Sequence, residues 1–348
     1  KMITLYKYQD KYANSLRASI KKGSKHLIAA LSTGGGKTVI FSYMASKAIE
    51  RNKTVLVFTH RAELLQQAGG TFEKFGVESE FIDAGSNPDL TKNVHVAMVE
   101  TFHKRIDQYM DFLLSRDLII IDEAHLQNFN KLLDLIPVEQ VVIGFTATGI
   151  RKGRERCFSE NYDEIIQEID TPELIKLGKL TPAISYGLEI EMKGLNKGVV
   201  WNYEQKAKGE KTILFASNVK SSKQVCEEFV SHGYNARHVD GKSKDRKEIF
   251  EWFDVTPNAI LCNCGIATTG FDQADILTVI LYRATTSLAL FLQMCGRGSR
   301  VSDTKDHFKI LDFGNNIQRH GFWEQPRVWE LEKAKQKPLG AAAVKICK

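Results

Sequence analysis

Three glycines followed by a lysine and a hydroxyl, Gly34-Gly35-Gly36-Lys37-Thr38, come two residues after an apolar run at residues 27–31 and open a helix-period stretch at 37–51. Consecutive glycines let the backbone turn its N–H groups inward around phosphate oxygens, and a helix N-terminus adds a favourable dipole. In that cradle, which begins at Ser32-Thr33, Lys37 would reach the β- and γ-phosphates and the Thr38 hydroxyl would ligate Mg2+. Leu31 departs from the usual pattern, which has Gly or Ala at that position. A second cluster, Asp122-Glu123-Ala124-His125, ends the apolar run 118–122. Asp122 is suited to hold Mg2+ through water, and Glu123 to orient and deprotonate an attacking water. Alone, this pair could be a solvated loop capping a helix; downstream of a phosphate loop it reads as nucleotide hydrolysis.

Such groups must be brought to one edge by regular elements. Short β-branched runs at 27–31, 54–59, 94–99, 118–122 and 141–146 alternate with helix-period segments such as 37–51 and 61–75. That is the βαβ pattern of a parallel sheet covered on both faces. The pattern breaks over 149–180, then a second series follows at 212–216, 236–239, 259–263, 277–282 and 307–311. The expected fold class is therefore α/β with two tandem domains, each a mainly parallel sheet flanked by helices. We place the first at 1–170, a linker at 171–198 that is short enough to lack residues, the second at 199–320, and a basic tail at 321–348. From Arg327 onward that tail carries six basic and two acidic residues, a solvated stretch or a nucleic-acid contact.

With 348 residues, 43% hydrophobic, 26% charged and a net charge of +6, the chain reads as ordinary globular protein that tolerates a polyanionic partner without demanding one. Its apolar runs fall short of the ~18 residues a membrane span needs. No secretory leader is recognisable, so a cytoplasmic protein with no membrane partner is expected. Six cysteines form no CxxC pair; Cys262 and Cys264 sit on one face of a strand and read as core side chains. Lys1 ahead of Met2 reads as a tag remnant.

Taken in order, these residues resemble the superfamily 2 helicases of the DEAH type. Tyr8-Gln9 resembles the adenine-reading glutamine element of that family. Phe58-Thr59-His60-Arg61 and Val99-Glu100-Thr101-Phe102 resemble its motifs Ia and Ib, and Thr146-Ala147-Thr148 its motif III, which links hydrolysis to strand movement, with His125 beside it. Ile213–Asn218 is similar to motif IV, Val239-Asp240-Gly241 to the next backbone-contacting turn, and Ala267-Thr268-Thr269-Gly270-Phe271-Asp272 to motif V. Gln293-Met294-Cys295-Gly296-Arg297-Gly298-Ser299-Arg300 matches motif VI. The series covers residues 5–315.

The resemblance implies two RecA-like domains with an ATP cleft between them, and ATP and Mg2+ as cofactors. Gly270 and Asp272 join Tyr8, Gln9 and residues 33–38 at the nucleotide. Gln293, Arg297 and Arg300 complete the catalytic set; a γ-phosphoryl in transit needs positive charge on its oxygens, with Arg300 the first choice for the finger. Thr59, His60, Arg61 and Thr101 would hold a nucleic-acid backbone from one domain, and Asn218, Gly241, Thr268 and Thr269 from the other, without reading sequence. The nearest resemblance is to phage and bacterial helicases that remodel forked or branched DNA in recombination, repair or replication, expected to work as monomers. A restriction-type duplex DNA translocase, an RNA helicase and a binding module with a dead ATPase site stay open. Residues 151–154, Arg-Lys-Gly-Arg, are a candidate strand-splitting element. Val344-Lys345-Ile346-Cys347 resembles the opening of a zinc ribbon cut off before its second ligand, so no zinc is expected.

Overall fold

The computed structural model describes residues 4–60, 62–150, 157–187, 195–266 and 273–332. The chain divides into two compact units, one of residues 1–170 with 327–335, the other of residues 171–326 with 336–348.

The first unit runs α1 (Lys7–Lys22), β1 (His26–Ala30), α2 (Lys37–Ile49), β2 (Val55–Thr59), α3 (Ala62–Lys74), β3 (Glu80–Ile82), β4 (Val94–Met98), α4 (Val99–Lys104), α5 (Ile106–Leu114), β5 (Leu118–Asp122), α6 (Asn130–Leu133), β6 (Val141–Thr146) and β7 (Glu164–Ile166). Its seven strands pair in parallel in the order β3-β4-β2-β5-β6-β1-β7. β1, β2 and β5 are buried at every position, which is why they read as unbroken apolar runs and not as alternation. Helix side chains close the faces: Phe41 of α2 meets Phe145 edge-on at 5.6 Å, and Phe58 meets Phe102 at 4.9 Å. The register Ala30↔Thr146 and Asp122↔Phe145 brings the C-terminal tips of β1, β5 and β6 level. In a parallel α/β sheet this is the edge where ligands bind.

The second unit runs α7 (Thr171–Lys176), β8 (Ala183–Gly187), α8 (Leu195–Lys206), β9 (Thr212–Ala216), α9 (Val219–Ser231), β10 (Ala236–Asp240), α10 (Arg246–Val255), β11 (Ile260–Cys264), β12 (Thr278–Tyr282), α11 (Leu288–Cys295), β13 (Phe308–Asp312) and α12 (Asn316–His320). Six strands, again parallel, lie in the order β10-β11-β9-β12-β13-β8. Tyr203 and Phe229, both fully buried, pack edge-on at 5.3 Å in its core.

Three sequence expectations differ from the structure. The span 171–198 is not simply a linker: α7 and β8 lie in it, and β8 pairs with β13 along its length. Its strand residues are partly exposed, as befits a sheet edge, so it lacks the apolar run that marks central strands. Residues 321–332 are not a solvated tail either, since Trp323 and Trp329 are 3% and 9% exposed. The edge strand β7 falls inside the stretch read as irregular. Residues 151–154, Cys347 and the rest of the tail beyond 332 lie outside the described residues.

Candidate functional site

α2 opens at Lys37 with Gly36 as its N-cap, in the left-handed region at φ 88°, and no side chain caps it. The first-turn N–H groups of a helix have no intrahelical acceptor, so this uncapped end faces the loop 32–36 as a ready anion cradle. Only glycine fits at 36, because a Cβ there would stand 2.4 Å from Gln9 Nε2. Gln9 is itself 3% exposed, and its Oε1 accepts from Tyr6 N at 3.0 Å. The Tyr8 hydroxyl donates to Gly35 O at 2.8 Å, while Tyr6, half-exposed, stacks on Tyr8. The expected adenine element therefore buttresses the phosphate loop. Leu31 is buried beneath Gly35, so the departure from the usual pattern fills the floor of the loop and leaves its rim open. Thr33, Gly34, Lys37 and Thr38 line that rim, partly exposed.

Lys37 Nζ lies 4.0 Å from Glu123 Oε1. Asp122 and Glu123 are 8% and 9% exposed, and the Glu123 backbone is in the left-handed region at φ 54°. A non-glycine residue held there, at the tip of a buried strand, marks a site whose surroundings over-determine its backbone. Asp122 Oδ1 accepts from Glu123 N at 3.0 Å. Burial, then the Glu123 carboxylate, pushes Asp122 up to about 7 against the pull of Lys37. Burial raises Glu123 as well, but Lys37, the His125 hydrogen bond and the charges of His125 and His60 outweigh it and hold it down to about 2. The two carboxylates titrate as a pair, with the proton on Asp122. The buried Asp122 carboxyl at the strand tip and the Thr38 hydroxyl in the first turn of α2 are the oxygen donors that would hold a divalent cation.

His125 Nδ1 lies 3.3 Å from Glu123 Oε2 and 3.1 Å from Thr146 Oγ1. The Thr146 hydroxyl donates to Thr148 O at 2.8 Å and accepts from Thr148 N at 3.1 Å. Having spent its one hydrogen, that hydroxyl can only accept from His125, which fixes the imidazole proton on Nδ1. A continuous polar chain thus runs from Lys37 through Glu123, His125 and Thr146 to Thr148.

The expected nucleic-acid contacts fare unevenly. His60 is placed close enough to Glu123 to act on its charge, and Thr101 is half-buried on α4. Thr59 is only 1% exposed with its hydroxyl enclosed, so it does not present a side chain to a ligand as expected; it belongs to the buried end of β2. In the second unit Asn218 is exposed and caps α9, accepting from Ser221 N at 2.8 Å, and Gly241 is exposed in the turn after β10. Gln293 and Arg297 are 7% and 8% exposed on α11 and the turn after it, and Arg300 is half-buried. Arg61, Thr268, Thr269, Gly270 and Asp272 lie outside the described residues.

One arrangement escaped the sequence reading. Ser222 Oγ is 2.8 Å from His238 Nδ1, and His238 Nε2 is 3.0 Å from Asp240 Oδ2. The residue types are those of a hydrolytic triad, but the ring nitrogens are reversed, with Nδ1 on the serine and Nε2 on the aspartate, and Ser222 is 0% exposed. The chain instead ties the start of α9 to the Asp240-Gly241 turn, whose Lys242 N donates to Asp240 Oδ1 at 2.6 Å. The only local signal was His238 and Asp240 two apart on one strand face.

Residues 2–151 match the family model described as "Type III restriction enzyme, res subunit", and residues 194–302 match "Helicase conserved C-terminal domain". The Saccharomyces cerevisiae protein named "Putative ATP-dependent helicase IRC3" is 30% identical over 88% of this chain and 51% of its own length. The structure described as "The fragment structure of a putative HsdR subunit of a type I restriction enzyme from Vibrio vulnificus YJ016" superposes with TM-score 0.74 at 21% identity, covering 89% of this chain and 64% of that one. The type ISP restriction-modification enzyme LlaBIII, solved bound to DNA, gives 0.68 at 17% identity, over 90% of this chain and 28% of that one. The chain thus spans about half the length of the yeast relative. Two parallel α/β sheets flanked by helices are the tandem RecA-like arrangement.

Proposed function

We propose that this chain, which matches the restriction res-subunit and helicase C-terminal models over its two parts and has both nucleotide-site signatures at one sheet edge, is a superfamily 2, ATP-driven DNA motor of the DEAH type that separates strands at forked or branched DNA. The observation that carries this is the linkage of Lys37, Glu123, His125, Thr146 and Thr148 at the tips of β1, β5 and β6. The open N–H groups of α2 and Lys37 bind the phosphates, which draws Lys37 from Glu123. Glu123, still held by His125, is then a carboxylate able to orient water and take its proton. Mg2+, held by Asp122 and Thr38, would neutralise charge on the β- and γ-phosphates. Arg300 and Arg297 would supply positive charge to the phosphoryl in transit, with Gln293 as a neutral hydrogen-bonding side chain beside them. Release of the Glu123–His125 contact on hydrolysis is passed to the 146–148 turn, and the backbone contacts at Asn218 and Gly241 hold DNA without reading bases.

The match to a restriction res subunit and the likeness to an HsdR fragment favour a second reading, translocation on duplex DNA without strand separation. ATPase and strand displacement measured on single-stranded, duplex, forked and four-way DNA and on RNA separate these. Displacement on a fork is expected; turnover on duplex without displacement selects the translocase, and stimulation by RNA alone sinks both.

A further inference from the structure

After α12 the chain leaves the second unit, and residues 327–335 belong to the first. The crossing is anchored by specific contacts. The Gln167 carboxamide, just past β7, pairs with the returning backbone at two points: Nε2 donates to Arg327 O at 2.7 Å, and Oε1 accepts from Trp329 N at 3.2 Å. Ser159 N donates to Leu331 O at 3.3 Å. Between these anchors Trp329 is 9% exposed while its neighbour Val328 is 81% exposed, so one side chain is selected for burial. It lies on the backbone of Gly149, where a Cβ would stand 2.3 Å from Trp329 Cβ and 2.6 Å from Ile165 Cδ1. Gly149 directly follows Thr148, the far end of the chain from Lys37 through Glu123, His125 and Thr146. The nucleotide edge is thereby joined, contact by contact, to a tryptophan carried on the segment that follows the second unit.

We infer that residues 327–331 form a positioning strap, in which Trp329, held by Gln167 and seated on Gly149, sets the 146–149 turn and so couples ATP turnover to strand displacement. Packed and hydrogen-bonded chains of this kind carry coupling when one element has two arrangements that both ends bias. Here that element is the turn, biased by Glu123–His125 at one end and by the tryptophan at the other. Trp329 touches no reacting atom; it is a positioning residue. The inference rests on the motor reading above.

The test uses the full chain and counts strands displaced per ATP hydrolysed on a forked duplex. Trp329→Ala is expected to keep DNA-stimulated ATP turnover within about twofold while displacement per ATP falls about tenfold or more, the range of ordinary site–site coupling. Trp329→Phe, which keeps an aromatic plane on Gly149, is expected to restore most of it. Gly149→Ala, pushing on the strap from the other side, should act as Trp329→Ala does, and covers the case in which removing the indole unfolds the segment. The emission of Trp329, taken as wild type minus Trp329→Phe, should change on adding a non-hydrolysable ATP analogue. Unchanged displacement per ATP in Trp329→Ala, or equal losses of turnover and displacement with no Phe rescue, overturns the strap. If wild type itself displaces no strand, the unwinding reading fails, and the strap is decided by the emission change alone.

Discussion

Gly36→Ala puts a number on the claim that the Tyr8-Gln9 element supports the phosphate loop. A side chain at φ 88° carries the left-handed penalty of roughly 1–2 kcal/mol. The new Cβ, 2.4 Å from Gln9 Nε2, also forces the carboxamide away from Tyr6 N, a hydrogen bond worth about 0.5–1.5 kcal/mol. Gly76 supplies the control: its φ is 71° and a Cβ there meets nothing within 4 Å, so Gly76→Ala feels the backbone penalty alone. Gly36→Ala should therefore cost the first unit about 0.5–1.5 kcal/mol more than Gly76→Ala in urea unfolding. If that excess falls on the loop that holds the phosphates, ATP binding should weaken about twofold to tenfold, since every 1.4 kcal/mol lost is tenfold, while Gly76→Ala leaves ATP binding alone. In a Gln9→Ala background the excess should vanish, the signature of two groups in contact. Equal costs for the two glycine variants, or an excess that survives Gln9→Ala, would refute the placement of Gln9 over the loop.

Glu123→Gln removes the base but not the phosphate cradle, so ATP should still bind while turnover falls about 10²–10⁴-fold, read by single-turnover hydrolysis. Arg300→Ala should lower kcat by about 10³–10⁵ with ATP binding retained; an unchanged kcat would remove it from the finger role. Asp117 gives a pH test remote from the nucleotide edge. Burial raises its carboxyl, but Lys53 and Thr54 donate to it at 2.8–2.9 Å and hold it below the ordinary carboxylate value. A folded pKa below the unfolded one contributes stability above the ordinary value and loses it as pH falls through the lower folded one. Wild type should therefore destabilise more steeply than Asp117→Asn on acidification below the usual carboxylate range; parallel melting curves would refute it.

The sequence reading succeeded where a residue's role is local. Asp122 ends a strand buried at every position, and three glycines before Lys37 can only turn, so spacing alone places both. Leu118–Asp122 and Val141–Thr146 are observed as read because central parallel strands carry no competing pattern. Three of the four edge strands carry no such signal: β3, β7 and β8 are short or half-exposed, and an edge needs no apolar run, whereas the edge strand β10 is legible at 236–239. Long-range pairings were lost for a different reason. Nothing near Ser222 announces His238, and nothing near Gly149 announces Trp329, because those contacts are made by topology. Trp323 and Trp329 are a local signal for burial in a segment whose lysines alone suggest a solvated tail.

The central claim is that the edge holding Lys37 and Glu123 drives work on DNA. The most direct measurement is ATP turnover by the wild-type chain and by Lys37→Ala, with and without forked DNA, alongside strand displacement. The account predicts DNA-stimulated turnover and displacement in wild type, both lost in Lys37→Ala while DNA is still bound. Turnover that no DNA raises above the Lys37→Ala background would contradict it.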